Sequence, residues 1–486
     1  MSAVTRPLLS DAAQPDLQAI LDIQRNAFHS EGEVTHAARV DRLKRLKSFI
    51  VENKKAFAST TKREYGDERS YEFSLFSEYA SKVEAIDYSI KHLKAWMKPV
   101  RRKANKPMNF LGGRSRVRYF PKGVVGIISP WNLPFGLTVA PLTSALAAGN
   151  RAMLKPSELV PETAELFAEL IPRYFAQEEV AVVTGGVEVG QRFAELAFDH
   201  LLFTGSTNVG ARVMQAASKN LVPVTLELGG KSPVIIGRSA NLGITGTRLA
   251  FGKLLNGGQL CLSPDYVIAP AELEARLVAR LTDEARSMYP NIESNPDYTG
   301  IISERHFARL QNYIDDAVAK GAKVTIVGAD KTRPSANSRR MPLHILQNVT
   351  EDMQVMHEEI FGPLLPIMTY SDITQVPEMV TPRRNPLALY YFGKDRDEQE
   401  FLLNSVPSGG VCINDITLHY VQEDLPFGGV GASGMGAYHG PEGFRNMSHE
   451  RAIYSQTMVD VLPIIGARPP FGEKFRKTIS KVLGPI

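Results

Sequence analysis

Cysteine is scarce in this chain: of 486 residues only Cys261 and Cys412 are cysteine. Two thiols cannot form a disulfide framework or a cysteine-rich zinc site, and they suit a reducing, cytoplasmic compartment in which each persists free. An excess of one charge is missing too. The 56 Lys+Arg against 52 Asp+Glu leave a formal +4, too little for a polyanion-binding field, so no nucleic-acid partner is expected. The 10 histidines contain no HExxH pair, which leaves no metal site to expect. Gly431-Ala-Ser-Gly434 does not complete the Gly-x-Ser-x-Gly elbow of a serine hydrolase. Met1 to Asp16 lacks the basic-then-apolar order of a secretion signal. No internal repeat is found.

One run does lack charge altogether. Residues 123–150 carry no ionisable side chain, a stretch longer than the roughly 20 residues that cross a bilayer. Pro130, Asn132, Pro134 and Pro141 punctuate it, however, and a βα unit buried in a soluble domain reads the same way. The tail from Arg468 to Ile486 is too short and too charged to span, so no stable membrane anchor is expected.

From Gly123 onward, short apolar strands alternate with helices of ten or so residues up to Leu228, and a second αβ series follows Gly229. That rhythm predicts an α/β fold with a parallel, doubly wound sheet whose ligands sit beyond the carboxyl ends of the strands. Upstream, amphipathic helices are predicted over Leu17 to Phe28, Val40 to Ile50 and Phe73 to Trp96, with a polar segment Ala58 to Ser70 between the last two. Ser115 to Phe120 reads as a hairpin arm. Lys331 to Arg340 reads as an exposed loop.

Three segments could carry chemistry. Cys261 follows Asn256-Gly-Gly-Gln-Leu, where Gly257 and Gly258 permit close backbone approach to a ligand; on this stretch alone the thiol reads more readily as a buried structural cysteine. Cys412, inside an apolar strand, reads as core. Glu227 ends an apolar parallel strand, where a carboxylate is costly without a partner or a purpose, and burial would lift it toward the range of a general base; a salt bridge or ligand contact stays open. Phe203 to Ala211 is strand, glycine turn and helix, and Gly205 to Gly210 are spaced to let such a turn cradle phosphate with its backbone N–H groups. The acid about twenty residues on, the ribose position of the dinucleotide fingerprint, is Glu227 itself. If Glu227 is a base, Lys155 and Glu158 after an earlier strand could hold the ribose instead.

Together these segments resemble the aldehyde dehydrogenase superfamily over about Leu17 to Met458. The resemblance rests on Ser129-Pro-Trp-Asn-Leu-Pro-Phe135, Lys155-Pro-Ser-Glu158, Phe203-Thr-Gly-Ser-Thr207, Leu226-Glu-Leu-Gly-Gly-Lys-Ser-Pro233, the Cys261 segment, Glu358-Glu-Ile-Phe-Gly-Pro363 and Leu425-Pro-Phe-Gly-Gly429, in the family's order. Asn385-Pro-Leu-Ala-Leu389 and Gly434-Met-Gly-Ala-Tyr-His-Gly440 look like the class 3 branch, nearest in appearance to bacterial coniferyl aldehyde dehydrogenases.

The resemblance implies that Cys261 is the nucleophile, Glu227 the general base and Asn132, with the Cys261 backbone N–H, the oxyanion donor. It implies a cofactor, NAD with NADP also admitted, met by Ser129, Trp131, Lys155, Glu158, Gly205, Ser206, Gly210, Gly229, Glu359 and Phe361. For the substrate, an aromatic or medium-chain aldehyde, it points to Phe135, Leu260, Leu262, Leu418 and Tyr420, with Trp131 and Ile416 also at an apolar entrance. Leu260 departs from the threonine many relatives carry before the nucleophile. The implied organisation is a Rossmann-like cofactor domain (1–104 and 122–229), a catalytic α/β domain (230–415), a small β bridging and oligomerisation element (105–121 and 416–463) serving a homodimer, and a tail (464–486). A general or fatty aldehyde dehydrogenase, an acylating dehydrogenase and a non-catalytic binding protein are the alternatives.

Overall fold

The computed structural model describes residues 16–486 apart from 107, 334, 336, 337 and 457. The reading of the first fifteen residues and part of the 331–340 loop lie outside the described residues.

Among the described residues the strands form three sheets. The six-stranded sheet runs in the order Gly434–Met435, Val224–Leu228, His200–Gly205, Val124–Ile128, Arg151–Lys155, Val180–Val182. All its pairings are parallel except the first. The uncharged run becomes its strand Val124–Ile128 and the helix Gly136–Ala148, buried at every residue. At about 1.5 Å per residue that helix is roughly 20 Å long. Among the described residues no helix is long and apolar enough to cross a membrane.

The seven-stranded sheet contains Pro233–Ile236, Tyr266–Pro270, Leu364–Tyr370, Ala388–Phe392 and Gly410–Ile413, mutually parallel, and adds Lys323–Val327 as an antiparallel edge beyond Leu343–Gln347. Cys412 lies in it, buried among apolar side chains. A third sheet joins Val100–Arg102, Arg114–Pro121 and Ser448–Ser455. The mixed α/β architecture with Rossmann-like parallel sheets and a small β element is the one expected.

Three local features differ from the sequence reading. The second helix, His36–Glu64, continues through the polar segment because Glu64 turns inward and accepts from the Thr163 N–H (3.0 Å) and hydroxyl (2.5 Å). The third becomes Tyr71–Ser74, a π-helical turn Leu75–Ala80, and Ser81–Trp96. Part of 416–463 leaves the bridging sheet, since Gly434 and Met435 pair with Glu227 and Leu226 on the edge of the six-stranded sheet.

Phe135 is fully buried and does not line an entrance. Its ring lies 4.7 Å from Phe57, 4.8 Å from Tyr79 and 5.4 Å from Phe167, centroid to centroid. It opens the helix Gly136–Ala148, so its side chain turns back into the core.

Candidate active site

The Cys261 loop is shaped by its glycines. After the helix Leu242–Leu254 the chain turns through Asn256, Gly257 and Gly258 at φ 52°, 61° and 75°. A Cβ at Gly258 would lie 2.4 Å from the Gly362 carbonyl, and one at Gly257 2.7 Å from that of Thr299, so only glycine fits at either. Gln259 then anchors the loop: its amide donates to the carbonyls of Asn256 (2.9 Å) and Gly300 (3.0 Å), and its side-chain oxygen accepts from Ile302 N–H (3.0 Å). The Leu262 carbonyl accepts from Tyr390 (2.7 Å). Cys261 is left half-buried between two tethered neighbours.

Burial pushes the Cys261 thiol up to about 12, and the negative fields of Glu359 and Glu227 add to it, against hydrogen bonds from the Cys261 and Leu262 N–H groups. Glu227, at the carboxyl end of its strand, is buried with neither oxygen hydrogen-bonded. Desolvation holds its carboxyl well above the usual range. A buried orphan carboxylate is expensive in a purely structural role. Asn132 is buried beside the loop, its amide donating to the Gln259 carbonyl at 3.1 Å.

Cys261, Glu227 and Asn132 line one cavity of about 350 Å³, together with Leu260, Leu262, Leu418 and Tyr420. Its walls are mostly apolar, with Phe73, Leu133, Leu137, Val421 and Phe427 among them. Trp131 and Ile416 are not among its lining residues. Ile416 is buried against Gly252. Trp131 packs 5.4 Å from Phe361 and 5.2 Å from His306, ring to ring.

The remaining predicted residues occupy the neighbouring strand ends. Lys155 is buried, its ammonium donating to the Pro156 carbonyl (2.7 Å) and lying 3.7 Å from the exposed Glu158 carboxylate. Ser206 caps the helix Thr207–Ser218. Gly205 and Gly210 sit where a Cβ would meet Phe203 and Leu228 at 2.5 Å. The Glu359 carboxylate lies against Gly229, where a Cβ would stand 1.8 Å from its oxygen. Burial, then the charge of Asp265, raises it to about 8. The Ser129 hydroxyl turns inward to Thr138 (2.6 Å).

Several participants gave no signal in the sequence. Lys82, in the third predicted helix, is buried at the cavity wall and donates to the Tyr420 hydroxyl at 2.8 Å. Tyr438 lines the cavity from within the quoted glycine-rich segment. Lys231 bonds Asp265 and the carbonyls of Val355 and Glu358 (2.9 Å each), while Asp265 accepts from Ile360 N–H (2.8 Å), which holds the Glu359 turn in place. Among the described residues no group of metal-ligating side chains is found.

Comparison with known proteins agrees with this constellation. The chain is 44% identical, over 97% of its length and 98% of the relative's, to a probable coniferyl aldehyde dehydrogenase of Caulobacter vibrioides. It is 39% identical, over 88% of its length and 86% of the relative's, to aldehyde dehydrogenase family 3 member A2 of Mus musculus. Among solved structures, the substrate-bound state of Staphylococcus aureus AldH superposes with a TM-score of 0.89 at 34% identity, covering 97% of this chain and all of that one. PnpE in complex with nicotinamide adenine dinucleotide superposes with a TM-score of 0.82 at 25% identity, covering 92% and 91%. Residues 8–453 match the model of the aldehyde dehydrogenase family, and with a cysteine loop, a buried carboxylate and a side-chain amide meeting on one cavity, the chain belongs to that family.

Proposed function

We propose that the chain oxidises an apolar aldehyde, aromatic or of medium length, to its carboxylic acid with NAD or NADP, through covalent chemistry at Cys261. The observation that carries this reading is the convergence of a thiol, an orphaned buried carboxylate and a side-chain amide on one apolar cavity. Cys261 Sγ attacks the carbonyl carbon, and the thiol proton leaves through Glu227 or water. The Asn132 amide and the Cys261 N–H hold the oxygen of the resulting thiohemiacetal. When bound, the cofactor supplies the hydride acceptor that lets the thiohemiacetal become a thioester. Glu227 takes a proton from water, the water attacks the thioester, the acid departs and the thiol is restored. A base placed for water favours hydrolysis over transfer to another acyl acceptor.

The residues fit a dinucleotide. Lys155 and Glu158 offer an ammonium and a carboxylate for ribose hydroxyls, the Ser206-capped helix end suits a pyrophosphate, and Glu359 beside Gly229 suits the second ribose. The Glu158 carboxylate accepts from a 2′-hydroxyl and repels a 2′-phosphate, which favours NAD. The PnpE complex and the coniferyl name of the Caulobacter relative support the cofactor and an aromatic substrate. We also read the chain as a cytoplasmic homodimer: both cysteines are free, and the strand Ser448–Ser455 presents an exposed outer edge.

A panel of cinnamyl-type, benzaldehyde-type and linear aldehydes, read as NADH formation, tests this. Activity should disappear in Cys261→Ser. Coniferyl aldehyde ranking among the poorest substrates would remove the aromatic assignment.

A further inference from the structure

A buried ion pair lies behind Asn132, outside the cavity lining. Arg69 and Glu78 have side chains with no exposure and meet at 2.6 Å. Burying two charges is rarely a net gain in stability, and apolar residues of similar volume often do as well. What this pair holds is therefore informative.

The guanidinium reaches three groups besides the carboxylate. Nη1 donates to the Asn132 carbonyl (3.0 Å) and to the Asn256 side-chain oxygen (3.1 Å), and Nε to Ser74 (3.3 Å). Its face rests 4.6 Å from the Tyr65 ring centroid. Tyr65 and the Asn256 amide donate to the same Asn132 carbonyl (3.3 and 3.2 Å), and Asn256 also donates to the Gln259 carbonyl (3.3 Å), the group that receives the Asn132 amide. Glu78, in the π-helical turn, uses its other oxygen to accept from the N–H groups of Phe135 (2.9 Å) and Gly136 (3.2 Å). The pair thus ties both ends of the turn carrying Asn132, and through Asn256, held at a left-handed φ of 52°, fastens that turn to the loop leading into Cys261.

We propose that Arg69 is a positioning residue for the oxidation: through Asn132 and Asn256, with Glu78 as its counter-charge, it sets the Asn132 amide against the carbonyl oxygen attacked by Cys261. A side-chain amide serves an oxyanion only within a few tenths of an ångström, and a misplacement of about 1 Å can cost 10²-fold. The inference rests on the oxyanion assignment of Asn132.

The test is a double-mutant cycle on the full-length enzyme with Arg69→Met and Asn132→Ala, reading kcat, KM, NAD affinity by fluorescence titration, and Tm. Arg69→Met should lower kcat about 10- to 100-fold with KM and NAD affinity within about threefold. In the Asn132→Ala background, itself down by about 10²–10³-fold, the same change should cost less than about threefold more, because the group it positions is gone. Losses that multiply, or a kcat for Arg69→Met near that of the parent, overturn the inference. If Arg69→Met does not fold, Arg69→Lys enters the cycle under the same criteria, since an ammonium keeps the charge beside Glu78 but cannot reach the three partners together. Full activity in Asn132→Ala alone would instead mark failure of the oxyanion assignment.

Discussion

The environment of Cys261 makes a quantitative prediction about its reactivity in the absence of cofactor. With the thiol pushed to about 12, about one molecule in 10⁴ is thiolate at pH 8, against about one quarter for a free thiol near 8.5. The deficit is roughly 2,000-fold, but a more basic thiolate is the better nucleophile, and a Brønsted slope of about 0.45 returns roughly 40-fold. Cys261 should therefore alkylate with iodoacetamide about 50-fold more slowly than a free thiol at pH 8. The logarithm of the rate should climb with unit slope past pH 10. Peptide mass spectrometry distinguishes Cys261 from the buried Cys412. One variant tests the cause: Glu359→Gln removes the negative field that, after burial, most opposes ionisation, so it should speed alkylation. A plateau below pH 9, or a variant that reacts no faster, would refute the electrostatic account.

Further expectations concern turnover, stability and cofactor choice. Glu227→Gln should leave a single-turnover burst of NADH while steady-state turnover falls about 10²–10⁴-fold, the range of a lost general base; stopped-flow absorbance separates the phases. Because the folded Glu227 carboxyl lies above its unfolded value, the folded state holds that proton more tightly, and stability declines as pH rises beyond about 4.5. Glu227→Gln should accordingly raise Tm at pH 8 and leave it little changed at pH 4.5, by scanning calorimetry. Phe135→Ala should cost about 3–5 kcal/mol in urea unfolding, the usual effect of emptying a core aromatic site, where an entrance residue would lose little. Glu158→Ser should raise the NADP to NAD ratio of kcat/KM about tenfold or more by removing a charge opposite the 2′-phosphate, and an unchanged ratio would place the ribose elsewhere.

Sequence logic reached the strand ends and the residues on them, and missed the supports behind them, for a physical reason. Glu227 stands out because a carboxylate in the apolar run Val224–Leu228 is anomalous by itself, and its two unpartnered oxygens are the structural form of that anomaly. The strand boundaries were legible for the same reason, since buried parallel strands are near-continuous apolar runs. Arg69 lies in a polar segment and Glu78 and Lys82 in a predicted helix, settings where charges ordinarily face water. Only the π-helical turn Leu75–Ala80 and the tertiary meeting with Asn132 and Tyr420 make them interior groups. The misreading of Phe135 has the same origin. It ends the motif carrying Asn132, yet the two residues between them form a turn that reverses side-chain direction, and its N–H rather than its ring is tied to the site through Glu78. Local pattern identifies a residue whose chemistry is unusual for its own segment, whereas a residue whose neighbours alone make it unusual becomes visible only in the folded chain.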